Sequence, residues 1–143
     1  MSRIDDTRPF LPVRIAVLTV SDTRSAADDR SGDTLVERLT KAGHKLAARL
    51  ILPDERLLIA ERLRQWCADP EVDVVISTGG TGLTGRDVTV EAHRDVYEKE
   101  IEAFATVFTM ISMDKIGTSA VQSRATGGVA LGTYLFALPG SPS

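Results

Sequence analysis

The alternation of short apolar runs with segments of helical periodicity is the feature that most constrains the fold of this chain. Residues 13–20, 44–52 and 72–77 are rich in Val, Ile and Leu and predict three strands. The nearly continuous apolar character of the first run is typical of a strand buried on both faces of a parallel sheet. Helical spacing of apolar residues follows at 33–42 and in a segment that opens after Glu55. Strands that alternate with helices indicate βαβ units and a three-layer α/β/α sandwich around a mostly parallel, mixed sheet.

The second half of the chain adds a longer helix and a hairpin. Residues 101–111 predict a helix, and residues 118–124 predict a short helix or turn near the edge of the sheet. Residues 129–138 predict a hairpin that turns at Gly132-Thr133 and stops at Pro139. The residues of the helix expected to face inward are Ile101, Phe104, Ala105, Phe108 and Ile111.

Length predicts a single domain preceded by an arm. The chain has 143 residues, which is enough to bury a core in one domain. Residues 1–12 are polar and interrupted by Pro9 and Pro12, and they predict a flexible N-terminal arm. Residues 13–143 contain no repeat or linker and predict one α/β domain.

Charge and composition exclude several classes of partner. The net charge is −3 and Lys and Arg are scattered, so the chain lacks the basic footprint of a nucleic-acid-binding protein. No apolar run approaches the ~20 residues of a transmembrane helix, and the N-terminus lacks the apolar region of a signal peptide. The single cysteine, Cys67, cannot form an internal disulfide. We therefore expect a cytoplasmic protein without a membrane partner.

A glycine-rich loop follows the third predicted strand. Residues 78–87 read TGGTGLTGRD, with four glycines and three threonines. Glycines let the backbone adopt positive φ and approach a ligand closely, so that several amides turn toward one point. In open α/β sheets, ligands bind beyond the carboxyl ends of the strands, where this loop lies. The loop therefore predicts phosphate binding, with an ordinary flexible turn as the simplest alternative.

Two known phosphate-binding loops come close to this one, but neither matches. Residues 80–85 fit GxGxxG, yet the dinucleotide fingerprint needs a helix that begins within the glycines and an acid about 20 residues later. Residues 86–89 intervene here, which argues against a nicotinamide-dependent oxidoreductase. In the P-loop pattern, Arg86 and Asp87 stand where lysine and a hydroxyl residue are required.

Two aspartates are expected to meet beside the loop. Asp54 follows the second strand and Asp87 ends the glycine loop, so both should lie on the same rim of the sheet. Paired carboxylates beside a phosphate cradle can hold Mg²⁺. The alternative role for Asp54, and for Ser21-Asp22 after the first strand, is a helix N-cap. The alternative for Asp87 is a cap or an ion pair with Arg86.

The remaining candidate side chains favour structural roles. His44 and His93 are predicted to be surface residues. Trp66 and Cys67 share the apolar face of their helix and are expected in the core. Phe104 and Phe108 are expected in the core or at a subunit interface rather than in a base-stacking platform.

Several of these segments together resemble one known family. The chain is similar, from about residue 13 onward, to the MogA/MoaB family of molybdenum cofactor biosynthesis proteins, and it leans toward the MoaB branch. The most specific of the matching segments is STGGTGLTGRDVT at residues 77–89. The others are residues 15–22, Pro53-Asp54-Glu55, GTSAVQSRA at residues 117–125 and LPGS at residues 138–141.

The resemblance implies a fold, an activity and an assembly. The fold is a three-layer α/β sandwich with a mixed sheet. The activity is that of a molybdopterin adenylyltransferase, which uses ATP, molybdopterin and Mg²⁺ and gives adenylylated molybdopterin and pyrophosphate. Members assemble as homotrimers or homohexamers. The alternative is a non-catalytic carrier or scaffold that binds molybdopterin in the same pathway.

The resemblance also implies roles for individual residues. Asp54 and Asp87 fall on the two functional acidic positions, as catalytic and Mg²⁺-binding residues. Arg86 or Arg124 is expected to stabilise charge on the phosphates. Phosphate binding is implied for Thr78, Gly79, Gly80, Thr81 and Gly82; a pterin-pocket position for Ser21, Ser123 and Arg124; and proximity to the nucleotide for Pro139, Gly140 and Ser141.

The chain departs from the family pattern in two places. Val90 stands where the family usually has proline, a mild change at the start of a helix. The helix and tail that normally follow the LPG turn are expected beyond Ser143, so a C-terminal segment is expected to be missing.

Overall fold

The computed structural model describes residues 7–140. Within them the strands are β1 (Arg14–Val20), β2 (Lys45–Leu52), β3 (Val74–Thr78), β4 (Lys99–Glu100), β5 (Thr126–Ala130) and β6 (Thr133–Leu138). The α-helices are α1 (Arg30–Lys41), α2 (Arg56–Cys67), α3 (Thr89–Val96) and α4 (Glu102–Ile116), and a 3₁₀ helix spans Gly117–Gln122. Among these residues, no helix combines the length and the apolar character needed to cross a membrane.

The strands form one mixed six-stranded sheet in the order β2-β1-β3-β6-β5-β4. The pairs β1–β2, β1–β3 and β3–β6 are parallel, whereas β5 runs antiparallel to both β6 and β4. The hairpin between β5 and β6 turns at Leu131 and Gly132, whose φ values of 51° and 80° suit a two-residue turn of the kind that matches strand twist. The predicted mixed sheet is confirmed, and the hairpin turns one residue earlier than predicted.

The sheet has helices on both faces, and the apolar cluster on one face is larger than the cluster on the other. Successive side chains of β1 point to opposite faces. Leu18 therefore joins the larger cluster under α2 and α3, with Ile59, Leu63 and Trp66. Val17 joins a smaller cluster with Leu39 of α1. Trp66 and Cys67 are in the larger core, as predicted.

Helix α1 starts three residues earlier than its apolar spacing predicts. Its N-cap is Asp29, whose carboxylate accepts a hydrogen bond from the Gly32 amide at 2.9 Å. The Asp29 side chain is fully buried and also accepts from Thr19 Oγ1 at 2.8 Å. The cap lies inside a polar stretch that resembles a loop in sequence. The earlier start places Ser31 in the helix and near the rim of the sheet.

Helix α4 packs only in part as its sequence predicts. It extends to Ile116 and contains no buried residue. Phe104 contacts Phe136, with ring centroids 4.9 Å apart, and Phe108 is also only partly buried. Ile111, expected to face inward, is 55% exposed. The predicted inward face is therefore confirmed in part: Phe104, Ala105 and Phe108 are partly buried, whereas Ile111 is exposed.

Candidate functional site

The glycine loop passes between the carboxyl ends of β1 and β6. The Gly79 amide donates to the Leu138 carbonyl at 3.1 Å. Gly79 has a φ of 92°, and a Cβ at this position would lie 2.4 Å from the Val20 carbonyl oxygen. Only glycine satisfies both conditions without distortion. The sequence prediction that the loop lies at the rim of the sheet is confirmed in its geometry.

Gly80 brings the loop against Asp54 and the start of α3. Its φ is 67°, and its carbonyl accepts from the Thr89 amide at 3.0 Å. A Cβ on Gly80 would lie 2.3 Å from Thr89 Oγ1 and 3.0 Å from Asp54 Oδ1. The Thr89 hydroxyl is buried and has no hydrogen-bond partner among the described residues. A carboxylate oxygen and an unpaired hydroxyl therefore converge on the same point of the loop.

A cavity of about 340 Å³ opens over the loop. It gathers most of the residues that the sequence assigned to the site, from four separate segments of the chain. Asp54 lies beside it at Gly80, and Ser141 falls outside the described residues. The predicted residues that line the cavity are Ser21, Thr78, Gly79, Gly80, Thr81, Gly82, Asp87, Ser123, Pro139 and Gly140.

Asp87 is held as a carboxylate by its own loop. Its Oδ2 accepts from Thr84 Oγ1 at 2.7 Å and from the Thr84 amide at 3.0 Å. The Thr84 hydroxyl, the Thr84 and Gly82 amides and the charge of Arg124 keep the pKa of Asp87 below its usual value, against a smaller opposing effect of burial. Arg86 does not pair with Asp87 but with Asp22, and the ion-pair alternative for Asp87 is therefore wrong.

Asp54 has the opposite electrostatic environment. Burial, followed by the negative charge of Asp22, raises the pKa of Asp54, and Asp87 adds to the rise while Arg86 opposes it. Asp22 accepts from the Asp54 amide at 2.9 Å and from Arg86 Nη2 at 2.5 Å. The N-cap position of α2 is Glu55, so Asp54 does not cap this helix. Burial and the neighbouring acids disfavour the ionised form of Asp54, and a cation beside the carboxylate would stabilise that form.

Arg124 lies behind the loop rather than in the cavity. Its Nε donates to the carbonyls of Gly82 at 3.1 Å and Thr81 at 3.3 Å, and its Nη2 donates to the Asp87 carbonyl at 3.1 Å. Nη1 and Nη2 also bind the Glu91 carboxylate, with Nη2 at 3.0 Å. Glu91 is a residue that sequence reasoning missed, because 33 positions separate it from Arg124 and no local pattern connects them.

The hydroxyls on the rim connect separate elements. Thr78 Oγ1 lies 2.6 Å from Ser31 Oγ of α1 and donates to the Pro139 carbonyl at 3.2 Å. Ser21 Oγ accepts from the amides of Thr23 and Arg24, which turns the chain after β1. These contacts fix the cavity wall from both sides.

His93 is buried directly below the loop, and its predicted surface position is wrong. Its Nε2 lies 2.7 Å from Ser77 Oγ and its Nδ1 lies 3.2 Å from the Tyr97 hydroxyl. Burial lowers the pKa of His93 to about 3, so the ring is neutral at pH 7. His44 is partly buried, and its Nδ1 accepts from the Val13 amide at 3.1 Å. His93 ties α3 to the end of β3, next to the first residue of the loop.

The acidic residues offer a limited set of metal ligands. Across residues 7–140, no cluster of three or more His, Cys, Asp or Glu side chains has the arrangement of a metal site. Mg²⁺ does not require such a cluster, because it is commonly held by one or two carboxylates together with substrate phosphates and water. The oxygens of Asp54, Asp87 and Thr89 fit that hard-ligand chemistry.

Comparisons with known proteins agree with this geometry. Residues 16–143 match the family model described as "Probable molybdopterin binding domain". The chain is 46% identical over 132 residues to molybdenum cofactor biosynthesis protein B of Escherichia coli strain K12, covering 92% of this chain and 78% of that protein. A crystal structure of a molybdenum cofactor biosynthesis protein B matches with a TM-score of 0.91 and 41% identity, covering 94% of this chain and 84% of that one. The tungsten cofactor synthesizing protein MoaB from Pyrococcus furiosus matches with a TM-score of 0.81 and 34% identity, covering 92% and 84%.

Proposed function

The chain belongs to the MogA/MoaB family of molybdenum cofactor biosynthesis proteins, and on that premise we propose that it transfers the adenylyl group of ATP to molybdopterin in a Mg²⁺-dependent reaction. The observation that carries the proposal is a phosphate-type loop with one carboxylate in the cavity over it and a second carboxylate beside that cavity. Asp87 lines that cavity with Gly80 and Thr81, and Asp54 approaches it at Gly80.

The loop supplies amides for a phosphate. The N–H groups of Gly80 and Thr81 make no backbone hydrogen bond to another described residue, whereas the Gly79 amide donates to the Leu138 carbonyl. Unpaired amides turned toward a concave surface bind anions. Gly80 and Thr81 are therefore the donors that we assign to a phosphate of ATP.

The nucleotide is assigned to the β6 side of the cavity. Gly140 approaches the loop so closely that a Cβ on it would lie 3.3 Å from Gly79 Cα. Pro139 and Gly140 thus form a wall beside the phosphate cradle. The pterin is assigned to the opposite side, where Ser21 and Ser123 line the cavity.

Asp54, Asp87 and the Thr89 hydroxyl are the groups that would hold Mg²⁺. Their fit rests on the unpaired buried hydroxyl of Thr89 and on the raised pKa of Asp54 beside it. When bound, Mg²⁺ would neutralise charge on phosphate oxygens. Asp87, whose carboxylate is already stabilised by Thr84, remains ionised throughout the neutral pH range.

The reaction itself leaves little covalent work to the protein. An oxygen of the molybdopterin phosphate attacks the α-phosphorus of ATP, a new P–O bond forms, the α–β bond breaks and pyrophosphate leaves. The chain contributes by holding both phosphates in line and by placing fixed dipoles around the transferring group. In this proposal the amides of Gly80 and Thr81 are the fixed dipoles that the loop provides.

Helix α4 supports assembly of identical subunits. Val107, Met110 and Ile111 are each more than half exposed within the single chain. An apolar surface of this kind is typical of an interface. We assign it to a homotrimer or homohexamer, and we expect the assembly to act in the cytoplasm.

The proposal is tested by pyrophosphate release from ATP. The full chain is incubated with ATP, Mg²⁺ and molybdopterin, and each of the three is omitted in turn. Release that requires all three supports adenylyl transfer. Retention of molybdopterin without pyrophosphate release would contradict it and would favour the non-catalytic carrier.

A further inference from the structure

The guanidinium of Arg124 binds the glycine loop and helix α3 and does not line the cavity. All three of its nitrogens have partners: the carbonyls of Thr81, Gly82 and Asp87, and the carboxylate of Glu91. Arg124 is absent from the cavity lining, although its neighbour Ser123 is part of it. Four of the five guanidinium N–H groups serve these partners, so only one N–H, on Nη1, is left for any other acceptor.

The carbonyls held by Arg124 determine where the loop amides point. A trans peptide places its C=O and N–H on opposite sides. The Thr81 carbonyl accepts from the Arg124 backbone amide at 3.0 Å as well as from Nε, and the Gly82 amide then points the other way, toward the Asp87 carboxylate. The Gly82 carbonyl is held by Nε of the side chain, which fixes the direction of the Leu83 amide and the path of the loop beyond Gly80 and Thr81. A loop with four glycines has many alternative conformations, so it needs such an external constraint.

Glu91 sets the position of Arg124 from helix α3. The pair is partly buried, with side-chain exposures of 28% for Arg124 and 32% for Glu91. The hydrogen bonds with Glu91, and after them its charge, raise the pKa of Arg124, and the hydrogen bonds with Arg124 and its charge lower the pKa of Glu91. The same helix holds the loop at a second point, because the Thr89 amide donates to the Gly80 carbonyl. A planar guanidinium can serve a carboxylate and several carbonyls at once, which an ammonium group cannot.

We infer that Arg124 and Glu91 form a positioning pair that keeps the glycine loop in its phosphate-binding conformation without touching the substrate. The identity of the phosphate ligand rests on the proposed function; the role of the pair in the loop does not. Loss of either side chain leaves the loop in the binding conformation for only part of the time. Apparent affinity for phosphate ligands then falls in proportion to that fraction, while the saturated rate changes much less.

The test uses Arg124→Met and Glu91→Gln in the full chain, with Arg94→Met as the matched control. Arg94 lies on α3, as Glu91 does, but its guanidinium pairs with Glu100 at 3.1 Å. Arg124→Lys is added as the conservative variant. We expect Arg124→Met to weaken inorganic pyrophosphate and MgATP binding about tenfold, Glu91→Gln to weaken it by a smaller factor, and Arg124→Lys to restore only part of the loss.

Amide hydrogen exchange supplies a readout that is independent of activity. The amides of Asp87 and Thr89 donate to loop carbonyls, those of Thr84 and Gly80. Both are expected to exchange about tenfold faster in Arg124→Met and Glu91→Gln, with β1 amides unchanged and with protection regained at saturating pyrophosphate. Unchanged exchange would overturn the inference: if affinity is also unchanged the pair does not act on the loop, and if affinity is lost Arg124 contacts the anion directly. A chain that binds no MgATP would instead refute the proposed function, and the exchange comparison would still decide the role of the pair.

Discussion

The glycine loop and helix α4 are held in opposite ways. The loop, residues 78–87, has little apolar surface, yet it is fixed by Thr84, Thr89 and Arg124 through hydrogen bonds. Helix α4 is strongly apolar, yet none of its residues is buried in the chain. The comparison teaches that apolar content alone does not show how firmly a segment is placed. The loop is complete within one chain, whereas α4 presents a surface that another molecule can cover.

The largest expected effect tests the loop side of this comparison. Asp87→Asn keeps the shape of the side chain and an acceptor for Thr84, but it removes the charge. We expect adenylyl transfer to fall by at least about 10²-fold, because charge stabilisation at a reacting phosphate has effects of this size. Stability should change little. Turnover and thermal unfolding are measured on the same sample, and preserved turnover would show that Asp87 is not part of the reaction.

The second prediction tests the α4 side. Met110→Asp places a charge on a residue that is 64% exposed in the chain. If α4 is a subunit contact, this change should dissociate the homo-oligomer and leave the stability of the monomer within about 1 kcal/mol. Leu131→Asp is the matched control, since Leu131 is 68% exposed and lies at the hairpin turn. Sedimentation velocity measures the assembly, and an intact oligomer in Met110→Asp would remove α4 from the interface.

The third prediction concerns the buried support of the loop. His93 has a pKa of about 3 in the fold and an ordinary value of 6.5, so the unfolded chain binds more protons between these values. Its contribution to stability is complete above pH 6.5 and is lost as the pH falls toward 3, by up to about 1.4 kcal/mol per pH unit. Urea unfolding at pH 7 and pH 5 should therefore show a smaller pH dependence in His93→Gln than in the wild type. Equal slopes for the two proteins would contradict the buried, neutral state of the ring.

The smallest expected effect is a gain in stability at the site. The pKa of Asp54 is raised by burial and by Asp22, so the ionised carboxylate destabilises the fold at neutral pH. Asp54→Asn should increase the free energy of unfolding by about 0.5 kcal/mol, and the gain should disappear on acidification as the wild-type carboxyl becomes protonated. Adenylyl transfer should be lost in the same variant. A variant that is both less stable and active would show that Asp54 has a structural role.

The parts predicted from the sequence are those with a local pattern. Apolar runs and helical spacing predicted β1 to β3, α1, α2, α4 and the hairpin, but neither α3 nor the two-residue strand β4. The rule that ligands bind at the carboxyl ends of strands placed Asp54 and Asp87 by the loop. The helix α1 start was mispredicted because its cap, Asp29, lies in a polar stretch. His93 was misplaced because its polar neighbours Arg94 and Asp95 suggested a surface, although its own face of α3 points inward.

The missed features depend on distant partners. Arg124 meets Glu91 across 33 positions, and His93 meets Ser77 across 16. Neither pair has a spacing rule that a single sequence reveals. The outward face of α4 was missed for a related reason, because an apolar pattern does not tell whether its partner surface belongs to the same chain. The roles of Asp54, Asp87 and Ser123 in catalysis and binding stay predictions.

The most direct measurement follows the adenylyl group itself. ATP labelled at the α-phosphorus is incubated with molybdopterin, Mg²⁺ and the full chain, and the pterin products are separated. The account predicts that the label appears in adenylylated molybdopterin in an amount equal to the pyrophosphate released, and that Asp87→Asn gives neither. Label that remains in ATP, or that appears only as AMP, would contradict adenylyl transfer by this protein.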